Sequence, residues 1–297
     1  MLAFSSGVRD GKRPELTIKL IATDLDGTLL DSHGRLPEKN VHAIAEAAAR
    51  GMEIVVVTGR RFPSAQKIAS ELTCDVHLIA SNGAVIKSRE GETHYRRLLP
   101  VVTARQVLEA TPEYRSSAAV IFDRPLSRQV IFERVDWDNP RTTSYLRSRE
   151  QVAEIVPLTA CLDGEDPVEI LFLGECEEMR RAMRSLEALS IAPQYALALT
   201  EYEQRDLSML DVLNEGVTKG SALAEWARRR GIARDEVMAI GDNWNDREML
   251  AFAGLPVVME NAVPELKSLG WKVTLSNDAC GVADAIRRYA LNQNGTG

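Results

Sequence analysis

The chain has 297 residues, a formal net charge of −7 and a hydrophobic fraction of 45%. That is enough chain to bury one large core or two smaller ones, and too acidic a balance for general nucleic-acid binding, which favours a basic surface. No run approaches the roughly 20 apolar residues of a membrane span, and the first fifteen residues lack the apolar stretch of a signal peptide.

Residues 1–14 read as a flexible leader and 292–297 as a flexible tail. The Asn294-Gly295-Thr296 sequon carries no weight without a secretory signal. Ile18–Ala22 is an apolar run of strand length that breaks into a polar cluster beginning at Asp24. Pro37 then opens a helix whose Val41, Ile44, Ala45 and Ala48 recur at helical spacing, with Gly51 closing it. A second apolar strand runs Ile54–Val57, a helix follows over PSAQKIASEL, and VHLIA is a third strand. This β-α-β-α-β order, with near-continuous apolar strands, predicts an α/β fold whose parallel sheet is covered on both faces.

From residue 85 to residue 211 the pattern changes to short strands (VIKS, HYRRLL, AAVIF, QVIFER, VEILFLG, YALALT, LSMLDV) with two helical stretches, VTARQVLEATP and CEEMRRAMRSLEAL. We expect an inserted α+β domain over 85–211 with a largely antiparallel sheet. The parallel pattern returns with a helix from Lys219 to the residue before Gly231, the strand VMAI, then alternating helices and strands up to GVADAIRRYAL. The core domain is therefore expected to be discontinuous, over 15–84 and 212–291.

Chemistry collects where the parallel strands end, which is where ligands bind in open α/β sheets. Asp24, Asp26 and Thr28 follow the first strand, and Thr58, Gly59 and Arg60 the second. Ser81, Asn82 and Gly83 follow the third, and Asp242, Asn243, Asn245 and Asp246 follow VMAIG. Carboxylates crowded on one edge repel one another unless a cation sits among them, and all-oxygen donors suit Mg²⁺. A carboxylate can also attack phosphorus, and hydroxyl, amide and lysine groups can hold the equatorial oxygens of a transferring phosphoryl group. Cys74, Cys161, Cys176 and Cys280, with His33, His42, His77 and His94, show no CxxC or HExxH spacing. A zinc-type centre is not expected, and the cysteines read as reduced thiols of a cytoplasmic protein.

The ordered set of DLDGT at Asp24–Thr28, Thr58, Lys219 and GDNWND at Gly241–Asp246 resembles the four motifs of the haloacid dehalogenase superfamily. SNGA at Ser81–Ala84 and GVTKG at Gly216–Gly220 are similar to its Cof-type subfamily, which carries a C2B cap between the second and third motifs. The resemblance implies a Rossmann-like core with an inserted cap, and a Mg²⁺-dependent phosphatase acting through an aspartyl phosphate. By the same resemblance Asp24 would be nucleophile and metal ligand. Asp26 would be general acid and then base, with its carbonyl on the metal, and Asp242 would complete the ligands. Thr58, Gly59, Lys219 and Asn245 would hold phosphate, and Asp246 would position Lys219 or the metal's water shell.

Each motif alone has a plainer reading as a turn, a helix cap or a solvated lysine. Trp244 reads as packing or as a wall of the site, and Arg60 and Arg61 as surface arginines or as contacts to substrate phosphate or the cap. Arg124, Arg128, Glu133, Arg134 and Tyr195 are candidate pocket residues of the insert. The partner is expected to be a small phosphomonoester, a sugar phosphate or similar, with neither nucleic acid nor membrane, and the chain a monomer or homodimer. A phosphomutase and a non-enzymatic phospho-ligand sensor are the competing functions.

Overall fold

The computed structural model describes residues 17–125, 127–146 and 152–292. The expected flexible termini fall outside these residues, apart from Asn292.

Two sheets organise the chain. The first has eight strands in the order β14-β13-β12-β1-β2-β3-β4-β5. At its centre β1 (Leu20–Thr23) is flanked by β2 (Glu53–Val57) and β12 (Val237–Gly241), both parallel to it, with Leu20 opposite Glu53 and Val237. β3 (His77–Ala80) extends the parallel array on one side, and β13 (Leu255–Val258) and β14 (Lys272–Val273) on the other. All four residues of β1 are buried, as expected for a strand covered on both faces. The covering helices include α1 (Glu38–Ala49), α2 (Phe62–Ala69), α6 (Lys219–Arg230), α7 (Arg247–Phe252), α8 (Pro264–Lys267) and α9 (Gly281–Ile286).

α6 carries its own start and stop signals. The Thr218 hydroxyl accepts from the Ser221 N–H, and the Ser221 hydroxyl bonds back at Thr218, while Arg228, Arg229 and Arg230 fill the last turn. This satisfies the exposed amides at one end and complements the helix dipole at the other.

The second sheet has six strands in the order β10-β11-β9-β6-β7-β8. These are β6 (Ala118–Ile121), β7 (Val130–Phe132), β8 (Val152–Glu154), β9 (Glu169–Gly174), β10 (Tyr195–Tyr202) and β11 (Leu207–Asn214). All neighbours are antiparallel except β7 and β8. One face packs Phe172, Leu210 and Val212 with α3 (Val101–Ala110) and α5 (Cys176–Glu187). The opposite face, with Ala119, Ile121, Leu171 and Leu213, meets Ala84 and Val217 of the first domain. The second sheet is thus a cap laid over the core.

Two expectations change. β4 (Val85–Ser88) and β5 (Thr93–Arg96) form an antiparallel hairpin on the edge of the first sheet, paired to β3, so the insert does not start at residue 85. Short alternating strands do not announce which sheet they join, because pairing is decided by partners distant in sequence. β8 and the short α4 (Pro140–Tyr145) were not anticipated at all.

Candidate active site

The four strand-end loops meet at one edge of the first sheet. The Asp24 N–H donates to the Ile240 carbonyl, fixing the end of β1 against β12. Lys219, the first residue of α6, is buried, and its Nζ bridges Asp24 Oδ1 at 2.7 Å and Asp246 Oδ1 at 2.6 Å. The other Asp246 oxygen accepts from the Asp242 and Asn243 N–H groups at 2.9 and 3.0 Å. Asp246 is therefore committed at both oxygens. The Thr28 hydroxyl donates to Asp242 Oδ1 at 2.6 Å. Gly27 sits at φ +81°, and a Cβ there would strike the Asp242 carboxylate, so this turn requires glycine.

Burial dominates the electrostatics. It pushes the Asp24 carboxyl up to about 7 against the pull of Lys219, with the Asp246 and Asp26 charges adding to the rise. Burial, then the charges of Asp24 and Asp246, pushes Asp242 well above the usual carboxylate range. Burial also works against the Lys219 charge, but Asp24 and Asp246 outweigh it and hold its pKa above the ordinary lysine value.

Asp24, Asp242 and Asp246 place oxygens within 4.8 Å of one another, a group able to hold a metal ion. Their donor chemistry is all oxygen, with neither His nor Cys in the group, which fits a hard divalent cation. Since Asp246 is already bound at both oxygens, Asp24 and Asp242 are the side chains with an oxygen to offer. A cation there would also favour the charged forms against the burial and the mutual repulsion that raise both carboxyls.

The remaining expected residues gather at the same edge, with differences. Thr58 is buried, and its Oγ1 accepts from the Arg60 N–H at 3.0 Å, which leaves its proton to donate. The Gly59 N–H has no backbone acceptor among the described residues. Asp26 is gripped by Arg60, whose Nε and terminal nitrogen reach the two carboxylate oxygens at 2.6 and 2.5 Å. Arg60 is thus a partner of Asp26 and not a free surface arginine. Asn245 spends its amide N–H groups on Asn82 Oδ1 at 3.1 Å and on Thr200 Oγ1 of β10 at 3.2 Å. It is occupied by the cap instead of being free for phosphate.

Trp244 is 47% exposed, and the Arg247 guanidinium lies over its ring, so packing does not explain it. Among the candidate pocket residues, Tyr195 donates to the Leu186 carbonyl on the α5 side of the cap, away from the core. Glu133 is engaged by the Leu158 N–H and Arg115, and Arg124 by Glu165, while Arg134 is exposed. Arg124 does line a small cavity with Arg61, Ser81 and Gln129 at the junction of core and cap.

Three groups escaped the sequence reading. Asp211 on β11 accepts from Asn82 Nδ2 at 2.8 Å, and burial pushes its carboxyl up to about 7. Glu169 on β9, also buried on this face, is pushed well above its usual range by burial and then by Asp211, against a Ser81 hydrogen bond and the Arg61 charge. Tyr202, at the end of β10, is raised by burial and then by the Asp26, Asp24 and Asp242 charges. The only advance signal was the alternation of each strand, which does not say what the face meets.

The comparisons with known proteins agree with this geometry. The family model described as haloacid dehalogenase-like hydrolase matches residues 21–286. Phosphatase YwpJ of Bacillus subtilis is 29% identical, over 91% of this chain and 99% of that protein. The HMP-PP phosphatase of Escherichia coli O6:H1 is 31% identical, over 84% of this chain and 87% of that protein. A haloacid dehalogenase-like hydrolase structure from B. subtilis superposes with a TM-score of 0.78 and 26% identity, covering 91% of this chain and 99% of the other. The chain belongs to the haloacid dehalogenase-like hydrolases, in the Cof-type subfamily.

Proposed function

We propose that this haloacid dehalogenase-like hydrolase is a Mg²⁺-dependent phosphatase that cleaves a small phosphomonoester through an aspartyl phosphate on Asp24. The observation that carries the reading is the Lys219 bridge. It fixes Asp24 by Oδ1 alone, so Oδ2 keeps a lone pair in a defined direction. In the first step Asp24 Oδ2 forms a bond to phosphorus as the bond to the leaving oxygen breaks, and Asp26 delivers a proton to that oxygen. In the second, Asp26 takes a proton from water, whose oxygen attacks phosphorus and returns Asp24 as a free carboxylate. The Thr58 hydroxyl, the Gly59 N–H and Lys219 Nζ hold the phosphoryl oxygens. Mg²⁺ held by Asp24, Asp242 and the Asp26 carbonyl would neutralise the crowded carboxylates and the incoming phosphate.

Both steps ask something of this arrangement. Asp26 must exchange its Arg60 contact for substrate, and Asn245 can reach phosphate only when the cap releases its amide. Opening and reseating of the cap between turnovers meets the second demand and keeps bulk water from the acyl phosphate. Among the described residues no helix is long and apolar enough to cross a membrane. The four cysteines are unpaired, which supports a reducing, cytoplasmic setting.

The test is phosphate release from a panel of phosphomonoesters with and without Mg²⁺, alongside Asp24→Asn. Release should require the ion and fall by about 10³-fold or more in the variant, which keeps its fold. Turnover that persists in Asp24→Asn, or that ignores divalent ions, would sink the assignment.

A further inference from the structure

β10 ends at the roof of the site, and its alternation decides which side chains face the core. Thr200 faces downward, because its hydroxyl accepts from Asn245 of the loop after β12. Side chains two residues apart on a strand share a face, so Tyr202 points the same way. Between them, the Glu201 carbonyl accepts from Asn243 of the same loop at 3.5 Å. Tyr202 therefore hangs from the last residue of β10, beside the loop that bears Asp242.

Its phenol interacts electrostatically with Asp26, Asp24, Asp242 and Arg60 together. That influence agrees with the side of the sheet that the strand alternation gives it. Packing does not account for it: Tyr202 belongs to none of the three apolar clusters. Among the described residues nothing hydrogen-bonds its hydroxyl, although a partly buried Tyr O–H normally finds a partner.

The hairpin tip that carries it is firmly held. Arg141 donates to the Asp206 carbonyl and carboxylate, both at 2.8 Å, and the Cys176 N–H reaches Asp206 Oδ1 at 3.1 Å. Arg180 pairs with Glu201 at 2.9 Å and Glu203 at 3.1 Å. Such bracing fixes a side chain's aim in the way a recognition group requires.

We infer that Tyr202 is the cap's substrate-contacting residue, its hydroxyl donating to an oxygen of the organic leaving group and its ring walling that group off from water. The inference rests on the phosphatase reading. It makes the natural substrate an ester whose carbon skeleton carries an oxygen near the phosphate.

The experiment compares wild type with Tyr202→Phe, at matched thermal stability, on hexose 6-phosphates and polyol phosphates, with inorganic phosphate as competitive inhibitor. Loss of one hydrogen bond should raise KM for the best ester about tenfold. kcat should change less, and the Ki of inorganic phosphate, which has no leaving group, should stay put. An unchanged KM overturns the inference. So does a Ki that rises with KM, which would place the hydroxyl on the phosphoryl group. Absence of phosphate release by wild type from any ester would be a different failure, that of the phosphatase reading itself.

Discussion

Two regions of the molecule bury carboxylates together, and they manage the charge in opposite ways. In the core, Asp24 and Asp246 share the buried Lys219, and Asp246 takes two backbone N–H groups as well. In the cap, Asp211 and Glu169 meet mainly neutral partners, the Asn82 amide and the Ser81 hydroxyl, with the Arg61 charge a lesser influence on Glu169. Burial raises Asp24 and Asp211 alike to about 7, so what differs is the partner that opposes the rise, a fixed cation in the core and an amide in the cap. The same side-chain type is a nucleophile's setting in one place and a fastener between domains in the other.

The largest effect that would sharpen this contrast comes from Lys219→Ala. Removing the buried cation that they share leaves Asp24 and Asp246 unpaired, and should cost about 3–5 kcal/mol in denaturant unfolding near pH 8. The loss should shrink near pH 5, where Asp24 can take a proton. A uniform loss at both pH values would mean that the lysine serves by packing instead of charge.

The cap acids add a pH dependence of their own. The folded Asp211 carboxyl titrates at about 7, above its ordinary 3.8, so the fold binds that proton more tightly than the unfolded chain does. Its contribution is complete at low pH and is lost as pH rises through about 7. Wild type should therefore lose thermal stability from pH 5 to pH 8, and Asp211→Asn, neutral throughout, should lose less. Parallel melting curves for the two proteins would break the comparison.

Arg60→Lys should do least to stability. The Arg60–Asp26 pair is partly solvent-exposed, so a change under about 1 kcal/mol is expected. The shorter point charge cannot reproduce the two-toothed grip, however. If that grip sets the aim of Asp26, kcat should fall about tenfold, read in steady-state phosphate release. An unchanged kcat would reduce Arg60 to a resting partner.

The legible parts of the molecule were those that a short stretch of chain decides for itself. DLDGT, TGR, SNG and GDNWND each sit directly after a strand, and the parallel order of those strands carries them to one edge without further information. Arg60 on Asp26, Asn245 on Thr200 and Asp211 on Asn82 are matters of seating between loops or sheets, and no local spacing encodes them. The same holds for β4 and β5, whose patterns fit either sheet until partners are known. Tyr195 and Tyr202 look alike in sequence on one strand, yet they are an odd number of positions apart and serve opposite faces.

The central placement of β1 has a consequence for the birth of the protein. Leu20 needs Val237 beside it, and the strand that brings Val237 is among the last pieces of the chain to be made. At ribosomal speeds of about 5–20 residues per second, β1 waits roughly 10–40 s with one edge open. The six cap strands, all contained in residues 118–214, can by then have found one another. The insert thus stands to mature before the domain that hosts it, and a nascent chain halted ahead of β12 would expose an apolar strand edge that chaperones recognise and aggregates exploit.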